Sequence, residues 1–515
     1  MGWTAEGSTA GAIDVATPTT RESRGVTAFC RRHYARLAIA VLALAAFNLT
    51  FRLGSEIVTE WDESLYAITA SEIMHGGDWI GTTFLGSLDY YNTKPPLNVW
   101  LVAIAFKAFG TNLISLRLVS VLSAWVTVAV LMWWGRRLFG PPVSLLAGLV
   151  LSSSFGFLYV HAARSANTDA LFALLILLTV VSLWAAQEHP WRFVWVGPLA
   201  AAVFLLKGTA VLMPLAIVLT AIVLMRRRQP ARWLPAAAAL LLFLLPVVAW
   251  AVARWQVDQW QFIEKVLGRD FMAHSLTAAD GHSGSPLYYL GILVKHQYDW
   301  LLLGALAWFL YPVGWAQLRA LFRFTSAGET LATLLLSYAG MTLLIPTLMV
   351  TKLAWYLNPF YPVFALGIAW IVARGLALAS VGRARAQTVL ACAVVLALTV
   401  AEGKLLWYSF HHRDLRRSVQ GLLLAEGDAL TGHRVFRERW DRGEIFVIRS
   451  VLGAERGLAV DLDDFMVQSR PGDYLVSSDA LQHPGLAVVQ AHGPHRLYRL
   501  QETPATPRSG AAGIR

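Results

Sequence analysis

The amino-acid sequence predicts an all-α polytopic membrane protein of about eleven transmembrane helices, followed by a small C-terminal α+β appendage. Three observations carry that prediction. Hydrophobic residues make up 56% of the 515 positions and charged residues only 15%, where a soluble domain carries about 25% charge. The apolar residues fall in runs close to the ~20 positions a helix needs to cross a bilayer core. The charges, net +11, collect in short clusters between those runs. This composition excludes an intrinsically disordered chain and a soluble multidomain enzyme. Basic clusters in that arrangement face an anionic leaflet, so no nucleic-acid partner is expected. The two cysteines, Cys30 in a basic arm and Cys392 in an apolar run, make no disulfide framework.

In chain order, residues 1–34 read as a disordered cytoplasmic tail, polar and rich in Gly, Ser and Thr. The first apolar run, 37–53, follows Arg31, Arg32 and Arg36 and lacks a small-residue cleavage site, so it reads as an uncleaved first helix. Ten further spans, within a transmembrane domain over 35–403, fall near 114–134, 142–161, 170–187, 193–206, 209–225, 233–253, 300–318, 330–350, 356–373 and 387–403. Only Lys207 and Gly208 interrupt the stretch 193–225. With the N-terminus in the cytoplasm, alternation places Arg136, Arg137, Arg192, Arg226–Arg228, Arg232, Arg319, Arg323, Arg383 and Arg385 on the inner side, as the positive-inside rule requires. The long loops 54–113 and 254–299 and the C-terminal segment then lie outside. In the first loop, 64–76 has Leu65, Ile68, Ala70 and Ile73 at helical spacing, and 96–109 is apolar but too short to span. Both predict helices lying in the interface, with Trp79 and Trp100 at headgroup depth. Residues 404–500 read as a small extracytoplasmic α+β domain with strand-like runs at 445–449 and 486–490, and 501–515 as a disordered tail.

Acidic residues at a membrane boundary are costly and mark functional sites. Asp62 and Glu63, in WDESLYA just after the first helix, and Asp169, in RSANTD, are the catalytic candidates. An Asp at a helix start also serves as a cap, the plainer role open to Asp169 and Asp62. Lys94 precedes two prolines that stiffen the chain and start the next helix, fixing a cation where it can hold a phosphate. A lone lysine there serves equally as a snorkelling anchor. Lys207, Lys352 and Arg164 map to the same outer face, against the positive-inside trend, which makes the four cations a set of phosphate-binding candidates. Tyr66, with His282, Tyr288 and Tyr289 of GHSGSPLYY, are substrate-binding candidates. The need for a metal stays open, with a divalent cation as the one cofactor considered. Walker A, HExxH, CxxC and nucleophile-elbow spacings are absent, as is the strand–helix alternation of a nucleotide-sugar fold. A transferase built this way takes its donor through the membrane.

The motifs WDESLYA (61–67), GDWI (77–80), KPPL (94–97) and GRRLFG (135–140), in that order, resemble the polytopic GT-C glycosyltransferases. The likeness is to the branch, family 39-like, that holds protein O-mannosyltransferases and lipid A 4-amino-4-deoxy-L-arabinose transferases. RSANTDALF (164–172), LLKG (205–208) and KLAWYLNPFYP (352–362) look like later motifs of the same family. The resemblance covers about residues 35–375. It implies a sugar donor on a polyprenyl phosphate and an acceptor (lipid A, glycolipid, polysaccharide or protein) at the outer face of a bacterial cytoplasmic membrane. It also implies that Asp62 is the catalytic acidic residue, that Lys94 and Tyr356 hold the donor phosphate, and that Asp169 and Lys207 line the cavity. Two positions depart from the arabinose-transferase pattern: Leu65 stands where that pattern has Arg, and Thr93 where it often has Glu. The second departure weakens any metal site built on that position.

Elementary chemistry supports the same roles. Attack at an anomeric carbon builds oxocarbenium character and sends charge onto the leaving phosphate. A carboxylate serves as base or stabiliser, and cations stabilise the leaving group. The main alternative, a transporter or flippase, predicts charges near the bilayer midplane and paired broken helices. A noncatalytic scaffold leaves Asp62 and Lys94 within one loop unexplained.

Overall fold

A computed structural model describes residues 26–225, 233–266, 282–312, 326–379, 384–412 and 414–501. The tail 501–515 and residues 1–25 of the N-terminal tail lie outside the described residues, apart from Gln501. So do Arg226–Arg228, Arg232, Arg319, Arg323 and Arg383. The last part of the expected N-terminal tail is a short helix, Val26–Arg32.

Among the described residues, seven helical segments are long and apolar enough to cross a membrane: Tyr34–Ser55, Leu113–Phe139, Pro190–Leu224, Trp233–Asp258, Leu331–Leu348, Ala354–Ala379 and Arg385–His411. That is fewer, among the described residues, than the eleven expected for the whole chain. The stretch 193–225 is one segment, with a break where Gly208 turns at φ +52. The span expected at 142–161 is a 12-residue helix, Pro141–Ser152, followed by a separate turn, Phe155–Tyr159, because Ser153 and Ser154 interrupt it. Asp169–Ala185 has 17 residues. The helix expected at 300–318 begins earlier, at Tyr288, and ends at Leu310.

Local signals explain several boundaries. Asn112 caps Leu113–Phe139 through a reciprocal pair of bonds with Ser115. Gly140, at φ +88, ends that helix and leads into Pro141 at the start of the next. Trp233–Asp258 exposes Leu240, Leu241, Leu245, Val248 and Val252 along its length, as a lipid-facing helix does.

Outside this helical body, the first outer loop and the C-terminal domain share one core. Asp62–Met74 buries ten of its 13 residues, including Leu65, Tyr66 and Ile68. It is therefore buried within the protein rather than laid open along one apolar face. Apolar and small side chains dominate it, and it packs between Leu97–Phe109 and the C-terminal domain. Phe106 stacks on Phe446 across that boundary at 6.0 Å. Trp100 Nε1 donates to the Trp79 carbonyl at 2.6 Å, tying the second short helix to the GDWI turn.

The last long helix continues past residue 403 to His411. Beyond it stands a five-stranded mixed sheet. Its spatial order is Glu455–Leu458, Arg434–Arg437, Tyr474–Ser477, His495–Leu500, Leu486–His492. The run 486–490 lies in a strand as expected. The run 445–449 is helical instead: a capping box between Asp441 and Glu444 nucleates Arg442–Ile445, which continues as Phe446–Val451.

Candidate active site

The loop after the first membrane helix is fixed from below by two buried arginines. Arg117 donates through Nε to Glu63 at 2.7 Å, and through its terminal nitrogens to the carbonyls of Leu53, Glu56 and Ile57. Arg164 donates through Nε to Glu56 at 3.0 Å, and to the carbonyls of Asn48 and Phe51. The planar guanidinium fork suits this kind of multiple grip. Glu63 also accepts from the backbone N–H of Thr59 and Ala166 and from the Thr59 hydroxyl. It is fully buried, with both oxygens engaged. Such a carboxylate offers no edge to a substrate, which corrects the expectation of a catalytic Glu63. Arg164, 1% exposed, is likewise sealed away from any donor phosphate.

One residue earlier the chain faces open space. Asp62 keeps a third of its side chain exposed and pairs with Lys94 at 3.1 Å. Lys94 Nζ lies 5.5 Å from the centre of the buried Tyr66 ring. Burial works to raise the Asp62 carboxyl, but Lys94, His161 and Lys207 outweigh it and hold the group down at about 2. Burial likewise works against the Lys94 ammonium, and Asp62 and Tyr66 more than offset it, raising Lys94 above the ordinary lysine range.

A second pair stands behind the first. Lys207 Nζ meets Asp169 at 2.6 Å and lies over the rings of Phe172 at 5.4 Å and Tyr356 at 5.9 Å. Asp169 opens its helix as expected, but its carboxylate is buried, with one oxygen on Lys207 and the other on His161 Nδ1 at 3.1 Å. His161 links the two pairs, because its Nε2 stands 3.8 Å from Asp62. Its backbone is left-handed at φ +56, uncommon for a non-glycine residue, and its ring stacks on Trp355 at 4.2 Å. Asn358 donates to the Val160 carbonyl, docking the segment Ala354–Phe360 against this turn.

The structure thus brings Asp62, Tyr66, Lys94, Asp169, Lys207 and Tyr356 into one cluster. His161 belongs there too, and the sequence reading missed it; the only signal was its position just ahead of RSANTD. His282, Tyr288, Tyr289 and Lys352 form a neighbouring group. The His282 carbonyl accepts from the Lys352 backbone N–H at 2.9 Å, and Lys352 Nζ lies 5.8 Å from the Tyr289 ring centre. Lys352 Nζ donates to the carbonyls of Pro346, Thr347 and Met349, so it caps the helix end before it rather than standing free for a phosphate. Among the described residues, no group of three or more His, Cys, Asp or Glu is arranged to hold a metal ion.

Known proteins share this frame. Residues 93–250 match the family model described as dolichyl-phosphate-mannose-protein mannosyltransferase. An undecaprenyl phosphate-alpha-4-amino-4-deoxy-L-arabinose arabinosyl transferase of Pseudomonas savastanoi pv. phaseolicola is 31% identical over 238 residues, 44% of this chain and 44% of that protein. The enzyme of the same name from Pseudomonas aeruginosa strain UCBPP-PA14 is 30% identical over 276 residues, 50% of this chain and 48% of its own length. The chain therefore spans less than half the length of these curated relatives. The crystal structure of ArnT from Cupriavidus metallidurans bound to undecaprenyl phosphate superposes with a TM-score of 0.64 at 15% identity, covering 90% of this chain and 98% of that one. Its apo form gives 0.62 at 16% identity. At that identity the likeness is one of fold. The family match over residues 93–250, the partial identity to the arabinosyl transferases and the shared fold agree, and the chain is similar to proteins of the mannosyltransferase and arabinosyl transferase branch.

Proposed function

We propose that this chain is a membrane glycosyltransferase that moves a sugar from a polyprenyl-phosphate donor to an acceptor at the outer face of a bacterial cytoplasmic membrane. The observation that carries this reading is the partly exposed Asp62–Lys94 pair, backed by Lys207 and Tyr356 on the other side of His161. The names of the similar proteins support a polyprenyl phosphate carrier: the arabinosyl transferases are named for undecaprenyl phosphate, and ArnT was crystallised with it.

In this reading Lys94 and Lys207 receive the donor phosphate, with the Tyr356 ring next to Lys207. Asp62 is a poor base while Lys94 sits on it. A donor phosphate that draws the ammonium away restores the carboxylate's basicity at the moment it is needed. The acceptor oxygen then attacks the anomeric carbon, and its proton passes to Asp62. The bond from that carbon to the phosphate oxygen breaks, and its electron pair leaves with the polyprenyl phosphate. One such displacement inverts the anomeric centre. Asp169, buried behind the lysine and the histidine, orients both rather than meeting substrate.

The test is release of free polyprenyl phosphate by the purified protein, supplied with sugar-labelled polyprenyl-phosphate donors and candidate acceptors. Wild type is expected to release it, and Asp62→Asn and Lys94→Ala are expected not to. Full activity of Asp62→Asn overturns the base role. Donor transport into liposomes without sugar transfer overturns the transferase class.

A further inference from the structure

Beyond the shared core, one cation of the C-terminal domain reaches the residues that flank Asp62 and Lys94. The Arg442 guanidinium lies 5.7 Å from the ring centre of Trp61, 5.6 Å from Phe84 and 5.3 Å from Tyr91. Trp61 directly precedes Asp62, and Tyr91 stands three residues before Lys94. One side chain thus touches both stretches of backbone that carry the pair. Trp61 and Tyr91 are exposed, at 64% and 44%.

Arg442 is itself held in place. It opens the short helix Arg442–Ile445, whose start is locked by the Asp441–Glu444 capping box and by the Arg437–Glu444 ion pair. The same face of the domain is pressed against the loop. The Gln420 side-chain amide exchanges two bonds with the backbone of Val58, at 2.8 and 2.9 Å. A Cβ at Gly443 would run into the Val58 carbonyl, so glycine is what permits this approach. Segment 52–62 is therefore wedged between Arg117 and Arg164 on the membrane side and Gln420, Arg442 and Gly443 on the other.

We infer that Arg442 is a positioning residue: through the rings of Trp61 and Tyr91, the C-terminal domain sets the placement of Asp62 relative to Lys94 for sugar transfer. This rests on the reading of Asp62 and Lys94 as the transfer machinery. The physical expectation is lopsided. Exposed cation–π contacts stabilise a fold only weakly, whereas displacing reacting groups by ~1 Å can cost about a hundredfold in rate. Loss of Arg442 should then reach kcat far more than stability.

The experiment compares Arg442→Ala, Arg442→Lys and Tyr91→Leu in the full chain in detergent, with Asp62→Asn as control. Arg442→Ala is expected to lower kcat about tenfold or more. Its donor KM should stay within about twofold and its melting temperature within a few degrees of wild type, since the contact is weak. Arg442→Lys, which keeps a cation over the rings, should recover most of the rate. Tyr91→Leu, which removes a ring from the loop side, should repeat the alanine pattern and serves if Arg442→Ala does not fold. Wild-type kcat in both Arg442→Ala and Tyr91→Leu, where Asp62→Asn is inactive, overturns the inference. So does a lysine variant as impaired as the alanine one. An active Asp62→Asn overturns the transfer reading instead, which keeps the two failures apart.

Discussion

Asp62 and Glu63 are neighbours in sequence and opposites in structure. Glu63 joins Glu56, Arg117 and Arg164 in a sealed set of charges, each side chain no more than 2% exposed. Asp62 joins Lys94, His161 and Lys207, whose side chains are 14–33% exposed. Both sets pair acids with bases, so pairing alone does not distinguish scaffold from site. The difference lies in the cation and in access. The arginines spend their remaining N–H groups on backbone carbonyls, which makes them brackets for the loop. The lysines are point charges with room beside them, able to change partners when an anion arrives.

Four substitutions break or sharpen that contrast, in descending order of expected effect. Asp62→Asn should cost about a thousandfold in transfer rate, the scale of a lost general base, with a smaller loss of melting temperature than a fully buried pair would show, because the Asp62–Lys94 pair is partly exposed. A rate within about tenfold of wild type would put Asp62 outside the chemistry. Arg164→Met should do the reverse. It leaves Glu56 buried without its ion-pair partner, at a cost of roughly 3–5 kcal/mol. It should appear as a large drop in melting temperature, and a stable Arg164→Met protein would refute the bracket role. Lys207→Ala removes one charged partner of the donor phosphate. A donor KM raised about tenfold, with kcat less affected, fits the loss of one charge-assisted hydrogen bond. An unchanged KM would show that Asp169 holds the lysine for structure alone.

The smallest effect belongs to the C-terminal domain. Burial, reinforced by Asp441 and opposed by Arg437, pushes Glu444 up from its ordinary 4.5 to about 7. Its proton is held more tightly in the folded state than in the unfolded one. The associated stability is therefore full below about pH 4.5 and is lost as pH rises through about 7. Melting curves between about pH 5 and 7.5 should fall in wild type and flatten in Glu444→Gln. Parallel curves would show that Glu444 carries no such linkage.

Much of this was legible in the chain itself. Asp62, Lys94 and Lys207 stand out because each puts a charge beside an apolar run, where charge is costly. KPPL and WDESLYA mark the loop through backbone stiffness and paired carboxylates. The extra expected spans came from equating apolar length with a crossing, and Ser153 and Ser154 show that such a run can break into pieces. That the helix at 62–74 is covered by a second domain was not legible, because hydropathy cannot tell burial in lipid from burial in protein.

The sequence by itself determined the membrane class and the candidates Asp62, Lys94, Asp169 and Lys207, while Tyr356 entered through the family resemblance. Their residue types and local motifs suffice for that. Only the tertiary structure decided that Glu63 is a bracket while Asp62 is open, that His161 bridges two ion pairs, and that Arg442 reaches the ring beside Asp62 from 380 residues further along the chain. Those outcomes depend on which partner arrives from a distant segment and how much solvent it leaves behind. No local pattern encodes either.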